Sequence, residues 1–227
     1  SNGSNSNLTF NTSPGNYVGW QWKANGGTTS SNTNGSITST VQANTTAGFS
    51  VVTYTGVGGA AQTVGHGLGS TPKFMLLMPR SFVSDKYVYH ASFGATKNMA
   101  INLTDPALAT TLWNSTSPTS SVFTVYGGGG NTNAATYVCY AFAEISGFSA
   151  FGSYTGNGSA DGPFVYLGFL PKYILIKRTD VAAAWVVMDT SRGLYNASYY
   201  YLDPNLVDAE SGPIAMDFLS NGFKLRL

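Results

Sequence analysis

Two histidines, one cysteine and ten carboxylates are what the sequence offers as general bases near neutral pH or as metal ligands. A Ser-His-Asp arrangement needs histidine as its base. His66 stands in "VGHGLG" with glycine on either side, which reads as a tight loop where the ring packs and hydrogen-bonds; contact with a ligand is its other role. No G-x-S-x-G nucleophile elbow occurs. A glycosidase needs two carboxylates about 5–10 Å apart. The one dense acidic group is Asp203, Asp208, Glu210 and Asp217, and its "LDPN" and "VDAESG" stretches are turn sequences, in which Asp caps backbone N–H groups. Weak calcium coordination is the other use open to that group, while one cysteine and two histidines disfavour zinc. "YGGGGN" and "YTGNGS" lack the spacing and the following helix of a phosphate loop, so their glycines serve turns. The expectation is a protein that is not an enzyme, with no cofactor and no bound metal.

Aromatic residues carry the remaining chemistry. Sugars stack on Trp and Tyr faces and hydrogen-bond to amides and carboxylates around them. Trp113 lies at a loop entrance in "LWNSTSP", and "YNASYYYLDPN" sets Tyr195, Tyr199, Tyr200 and Tyr201 beside Asn and Asp in a stretch with little structural periodicity. Loops on a rigid scaffold are where binding concentrates, so the expected ligand contacts are Trp113, His66, Tyr195, Tyr199, Tyr200 and Tyr201. For the tyrosines, packing between units or subunits is the competing role. Trp20 and Trp22 alternate with Gly19 and Gln21, which puts both on one face of a strand.

Composition narrows the class. Of 227 residues 43% are hydrophobic and 14% aromatic, ample for a core, but only 9% are charged. Ser, Thr, Asn and 27 glycines supply the polarity, as in secreted or particle-borne β proteins. Disordered chains are poor in aromatic and β-branched residues, so this one folds. The net charge of +1 gives no electrostatic footprint for nucleic acid or an anionic membrane. Seven of the ten acidic residues stand at Asp161 or later. The first residues show no basic stretch followed by an apolar one, and no apolar run reaches the roughly 20 residues of a membrane span. Cys139, within "YVCYAFA", reads as a small buried apolar side chain.

The elements that position these groups are strands. "FSVVTYTG", "KFMLLMPR", "KYVYHASF", "SVFTVYG", "TYVCYAFAEI", "FVYLGF", "KYILIKR" and "AAWVVMDT" are short runs of β-branched and aromatic residues bounded by Gly, Asn, Pro or Ser. "KFMLLM" and "KYILIK" do not alternate and read as strands buried on both faces. "DPALATTLW" could form one helical turn, with Asp105 as N-cap and Pro106 at the first position. "YGGGGNTNAAT" reads as a mobile loop. The chain also repeats itself. At an offset of 99 residues, Pro72 onto Pro171, "GLGSTPKFMLLMPR" falls on "YLGFLPKYILIKR", and "YVYHASFG" falls on "VVMDTSRG". His90 then matches Asp189, which predicts a shared hydrogen bond at a strand end. "YVGWQWKA" from Tyr17 echoes "YVCYAFAE" from Tyr137. The resulting expectation is an all-β protein of two related antiparallel sandwich-like units in tandem, with little or no helix. Residues 1–47 are expected to form the terminal strand of a preceding unit and a Ser/Thr/Asn/Gly-rich linker, residues 48–146 the first unit, and residues 147–227 a second, incomplete unit. Relative to its own repeat the chain reads as cut at both ends; completion of a sheet by another subunit is the alternative to truncation.

"YVGWQWKA", "GSITSTVQANTTAGFSVVTYTG", "VGHGLGSTPKFMLL", "LWNSTSPTSSVFTV" and "FGSYTGNGSADGPFVYLGFLPKYILIKRTD" resemble a domain family of unassigned function from structural proteins of tailed phages, marine and cyanobacterial ones especially. The resemblance runs from about Tyr17 to Arg226. It carries no catalytic motif. It implies a virion component on the particle surface, outside the cell, in a tail fibre or adhesin that attaches to host-surface glycan. It also implies other virion subunits as partners, a homo-oligomer included, and neither nucleic acid nor membrane insertion. The alternative is an architectural subunit, in capsid decoration or a fibre shaft, assembled by packing or strand exchange.

Overall fold

The computed structural model describes residues 13–192, 196–212 and 215–226. Among them all regular structure is β, in fifteen strands. Each strand is a short β-branched or aromatic run stopped by turn residues, too short and too evenly apolar to carry a helical stripe. β1 (Ser30–Asn32), β2 (Ser39–Asn44), β3 (Phe49–Thr55), β5 (Pro72–Pro79), β6 (Tyr87–His90), β7 (Lys97–Ala100), β8 (Leu108–Ala109) and β10 (Thr136–Ala143) form one antiparallel sheet of order β1-β2-β3-β10-β5-β6-β7-β8. β4 (Gln62–Gly65) pairs with β9 (Val122–Val125) beneath it.

The first unit is closed by side chains of alternating strand positions. Val52, Met75, Leu77, Tyr137 and Cys139 face one way and pack with Val64, Phe123 and Val125 of the lower pair. Two buried hydroxyls tie the layers together: Ser39 Oγ donates to the Gly65 carbonyl at 2.7 Å and Ser50 Oγ to the His66 carbonyl at 2.6 Å. The opposite face of the large sheet is half-buried. Phe74, Phe142 and Phe151 stack there with ring centroids 5.7–6.2 Å apart. "KFMLLM" is therefore packed on both faces, as its lack of alternation predicts.

The second unit leans on that face. β12 (Tyr173–Lys177) pairs with β13 (Trp185–Asp189), and β11 (Asp161–Tyr166), β15 (Gly222–Arg226) and β14 (Met216–Leu219) form a three-stranded sheet in that order. Ile174, Met188, Met216, Phe218 and Phe223 make its core. Trp185 leaves that core to pack with Val88 and Met99 of the first unit, and its indole N–H donates to the Ala100 carbonyl at 3.0 Å.

The internal repeat is preserved in backbone register. Phe74 lies opposite His90 and Met75 opposite Tyr89; Tyr173 lies opposite Asp189 and Ile174 opposite Met188, each shifted by the same 99 residues. Val64 faces Phe123 in the first unit as Val165 faces Phe223 in the second. Gly48 and Gly147, which open the two "GFS" words, both hold positive φ, 66° and 75°, where a side chain would be strained. The hydrogen bond expected from the His90–Asp189 match is present in both units: His90 Nδ1 accepts the Ser92 N–H at 3.1 Å, and Asp189 Oδ1 accepts the Ser191 N–H at 2.9 Å. What differs is the next contact. His90 rests on the Phe93 ring at 5.9 Å, whereas Asp189 pairs with Arg192 at 2.7 Å.

Four expectations need correction. "DPALATTLW" holds no helical turn; Leu108–Ala109 pairs instead with Lys97 and Asn98 as an edge strand. "YGGGGNTNAAT" is anchored by the buried Asn131 side chain, which accepts the Val57 N–H at 2.9 Å and donates to the Gly58 and Ala60 carbonyls at 3.1 Å. Residues before Gly48 are more than a linker, since β1 and β2 extend the first unit's sheet and Ile37 and Val41 enter its core. Finally, residues 17–24 adopt no strand. Trp20 and Trp22 both meet the Tyr173 ring, at 5.7 and 5.4 Å, from a segment that is otherwise exposed.

The Asp189–Arg192 pair is buried, with side chains 3% and 10% exposed. Removing one member of such a pair leaves an uncompensated charge. Arg192→Leu is expected to lower unfolding free energy by about 3–5 kcal/mol in urea titrations. The double substitution Asp189→His with Arg192→Phe, which copies the His90–Phe93 pair of the first unit, is expected to recover most of that loss.

Candidate functional site

The expected ligand residues do not converge. Trp113 is 1% exposed and meets Tyr89 edge-on at 5.8 Å within the first core. His66 is fully buried beneath the large sheet. Tyr195 lies outside the described residues. Tyr201 is half-buried and bridges to Ser211 through paired backbone hydrogen bonds of 3.0 and 3.1 Å. Tyr199 and Tyr200, exposed at 49% and 52%, are the members of the set that present rings to solvent.

His66 is held as a structural ring. Its Nδ1 accepts the Leu68 N–H at 3.2 Å, so the proton sits on Nε2, which donates to the Thr119 carbonyl at 3.2 Å. This is the loop-packing role that "VGHGLG" suggests. Burial lowers its pKa below the ordinary value, with the Thr119 bond acting in the opposite direction; burial also lowers that of His90. Cys139 is likewise sealed in the core, where burial pushes its thiol pKa far up and keeps it unreactive.

Several of the acidic residues are engaged with arginine and lysine. Glu210 pairs with Arg192 at 2.8 Å, Asp217 with Arg226 at 2.6 Å, and Asp161 with Lys224 at 2.6 Å. For Asp189, burial opposes the charged form, but Arg192 and two backbone N–H groups outweigh it and hold the pKa below the usual range. Asp203 moves the other way, raised by burial and by Asp208. Among the described residues no three His, Cys, Asp or Glu side chains gather as a metal site.

A surface that the sequence did not single out has the better geometry. The connection after β10 and the turn after β11 bound an open cleft of about 540 Å³, lined by Glu144, Ser146, Ser149, Tyr166 and Phe169. Tyr166 ends β11 and is 71% exposed, with Phe164 pointing outward two residues earlier. Phe148 stands exposed in the same connection. The cleft thus joins an accessible phenol ring to a carboxylate and two hydroxyls. The signal in the sequence was the alternation of "FVY": once Val165 packs inward, Phe164 and Tyr166 must face out.

Between its lowered folded pKa and about 6.5, His66 binds fewer protons when folded than when unfolded, so stability rises with pH there. The contribution is complete above about pH 6.5 and is lost as pH falls through the folded value. Urea midpoints between pH 8 and pH 5 are expected to fall with acid. His66→Asn, whose amide oxygen can still accept the Leu68 N–H, is expected to reduce that slope to the part that His90 contributes, at a pH-independent cost of about 1–3 kcal/mol.

No curated protein and no solved structure matches the chain. Residues 1–227 match the family described as a domain of unknown function, DUF7483, and the chain belongs to that family.

Proposed function

We propose that this protein is a non-enzymatic structural component of a virion, a tail-fibre or adhesin module on the particle surface that attaches to host-surface glycan. The cleft beside Tyr166 is the observation that carries this reading. A sugar ring lays its C–H face on an aromatic ring and turns its hydroxyls to nearby acceptors. Tyr166 supplies the ring, while Glu144, Ser146 and Ser149 supply the polar partners. Tyr199 and Tyr200 offer a second aromatic surface on the same unit. The engagement of Glu210 and Asp217, two members of the acidic group, and of Asp161 in ion pairs supports a structural use of those three carboxylates over an acid–base one. The virion setting is supported by the sequence resemblance to tailed-phage structural proteins. Other virion subunits and further copies of the chain are the expected partners. An open, shallow cleft binds weakly alone, and copy number multiplies such contacts through avidity.

A second reading, an architectural subunit of a fibre shaft or capsid decoration, is favoured by one observation: β12 has a strand partner on one side only among the described residues.

The test is binding of the labelled protein to intact host cells, before and after periodate removal of surface glycan. Saturable, periodate-sensitive binding is expected, with Tyr166→Ala lowering single-site affinity about two- to tenfold. Binding that survives periodate would sink the glycan reading. If it is the Tyr199→Ala/Tyr200→Ala variant that loses binding, the ligand rests on the second aromatic surface instead.

A further inference from the structure

β5 and β12 are the same strand of the repeat, and one side of each is occupied in the same way. Phe74 faces His90 across β6, and Tyr173 faces Asp189 across β13. On its other side β5 is paired along its length with β10, Phe142 lying opposite Phe74 and Val138 opposite Met78. β12 has no such neighbour among the described residues. Its free edge, Tyr-Ile-Leu-Ile-Lys, contains no glycine, proline or bulge. Natural sheets blunt their edges, often with very short strands. The eight-stranded sheet does so, ending in β1 with three residues and β8 with two. β12 is left open.

The chain carries a second version of the strand that fills this place in the first unit. "YVCYAFA" is β10, and "YVGWQWK" begins at Tyr17, with Trp20 in the place of Tyr140 and Trp22 in that of Phe142. The key side-chain contact is already made. Phe142 meets Phe74 edge-on at 5.7 Å, and Trp22 meets Tyr173 edge-on at 5.4 Å. Yet residues 18–23 form no strand. Trp20 reaches towards Arg192, 5.8 Å from its ring, and the Lys23 carbonyl accepts from Asn44 Nδ2 at 3.1 Å at the end of β2. The segment is thus held across the end of its own β12–β13 hairpin instead of along the edge. Donor and acceptor touch within one chain and still do not pair.

We propose that the β12 edge accepts residues 18–23 from a second copy of this chain, antiparallel, in the register that β10 makes with β5. Trp22 then lies opposite Tyr173, Trp20 opposite Leu175 and Val18 opposite Lys177. The segment swings from the end of its own hairpin, about the anchor at Asn44, onto the edge of the next copy. Donor and acceptor are different surfaces, so each joined copy still offers one of each, and the association continues into a ring or a filament.

Cysteine pairing in the full chain tests this, and the buried Cys139 does not interfere. Val18→Cys is mixed with a size-tagged Lys177→Cys chain under oxidising conditions. A disulfide between the two is expected at least about tenfold above that from Val18→Cys with Arg178→Cys, because a one-residue slip turns the side chain to the other face. Adding Trp20→Pro and Trp22→Pro to the donor, which strips the N–H groups that this register turns towards β12, is expected to abolish it. Equal yields at positions 177 and 178, or no disulfide between chains whose near-UV circular dichroism is native, would overturn the proposal. So would a Val18→Cys/Lys177→Cys double variant that closes within single chains at high dilution, since the edge would then take its own strand.

Discussion

β10 has both edges taken and one face sealed in the first core, and the rest of the molecule is arranged around that fact. Tyr137, Cys139 and Ala141 point into one core, while Phe142 points into an aromatic layer on the other face. Its edges are taken by β3 and β5. A strand hemmed in on both edges must have every backbone group paired, and a polar atom on its core face must be hydrogen-bonded, as the Tyr137 hydroxyl is to the Thr132 N–H. The lower pair of strands and the hydroxyls of Ser39 and Ser50 exist to cover one face. The second unit, through Trp185, helps to cover the large sheet on the other.

The two repeats solve one geometric problem with different chemistry. Where the first unit sets the His90 and Phe93 rings side by side, the second sets Asp189 against Arg192, whose guanidinium also reaches Glu210, the Val187 carbonyl and the Trp20 ring. A carboxylate there also makes its neighbour costlier to ionise: burial, and then Asp189, pushes Tyr173 up to about 12. The ring pair tolerates a dry surrounding without compensation. The ion pair needs each of its several hydrogen bonds, and the exchange places an electrostatic network where the two units and the segment of residues 17–24 meet.

Strand identity was legible in the sequence because β-branched runs and turn residues are local signals. So was the repeat, down to the His90–Asp189 match, because two copies of one sequence fix register without knowledge of the partners. The loop around Asn131 was misread, since nothing local to "YGGGGNTNAAT" announces that an amide will bond to Gly58 and Ala60, over seventy residues away. Trp113 was misread for a similar reason: its polar neighbours suggested a surface, while Tyr89 and the first core enclose it. The cleft beside Tyr166 forms from two connections that meet only in the fold. Its one local trace was the outward alternation of Phe164 and Tyr166.

Trp185 has a further consequence. Its indole is seated on the first unit's sheet and bonded to Ala100, so the boundary between the repeats is not a seam. Genetic exchange that cut the chain near residue 147 and joined either half to a foreign partner would expose Val88 and Met99 on one product and strand Trp185 on the other. The duplicated sequence looks like a pair of interchangeable cassettes, but Trp185 makes each half part of the other's surface.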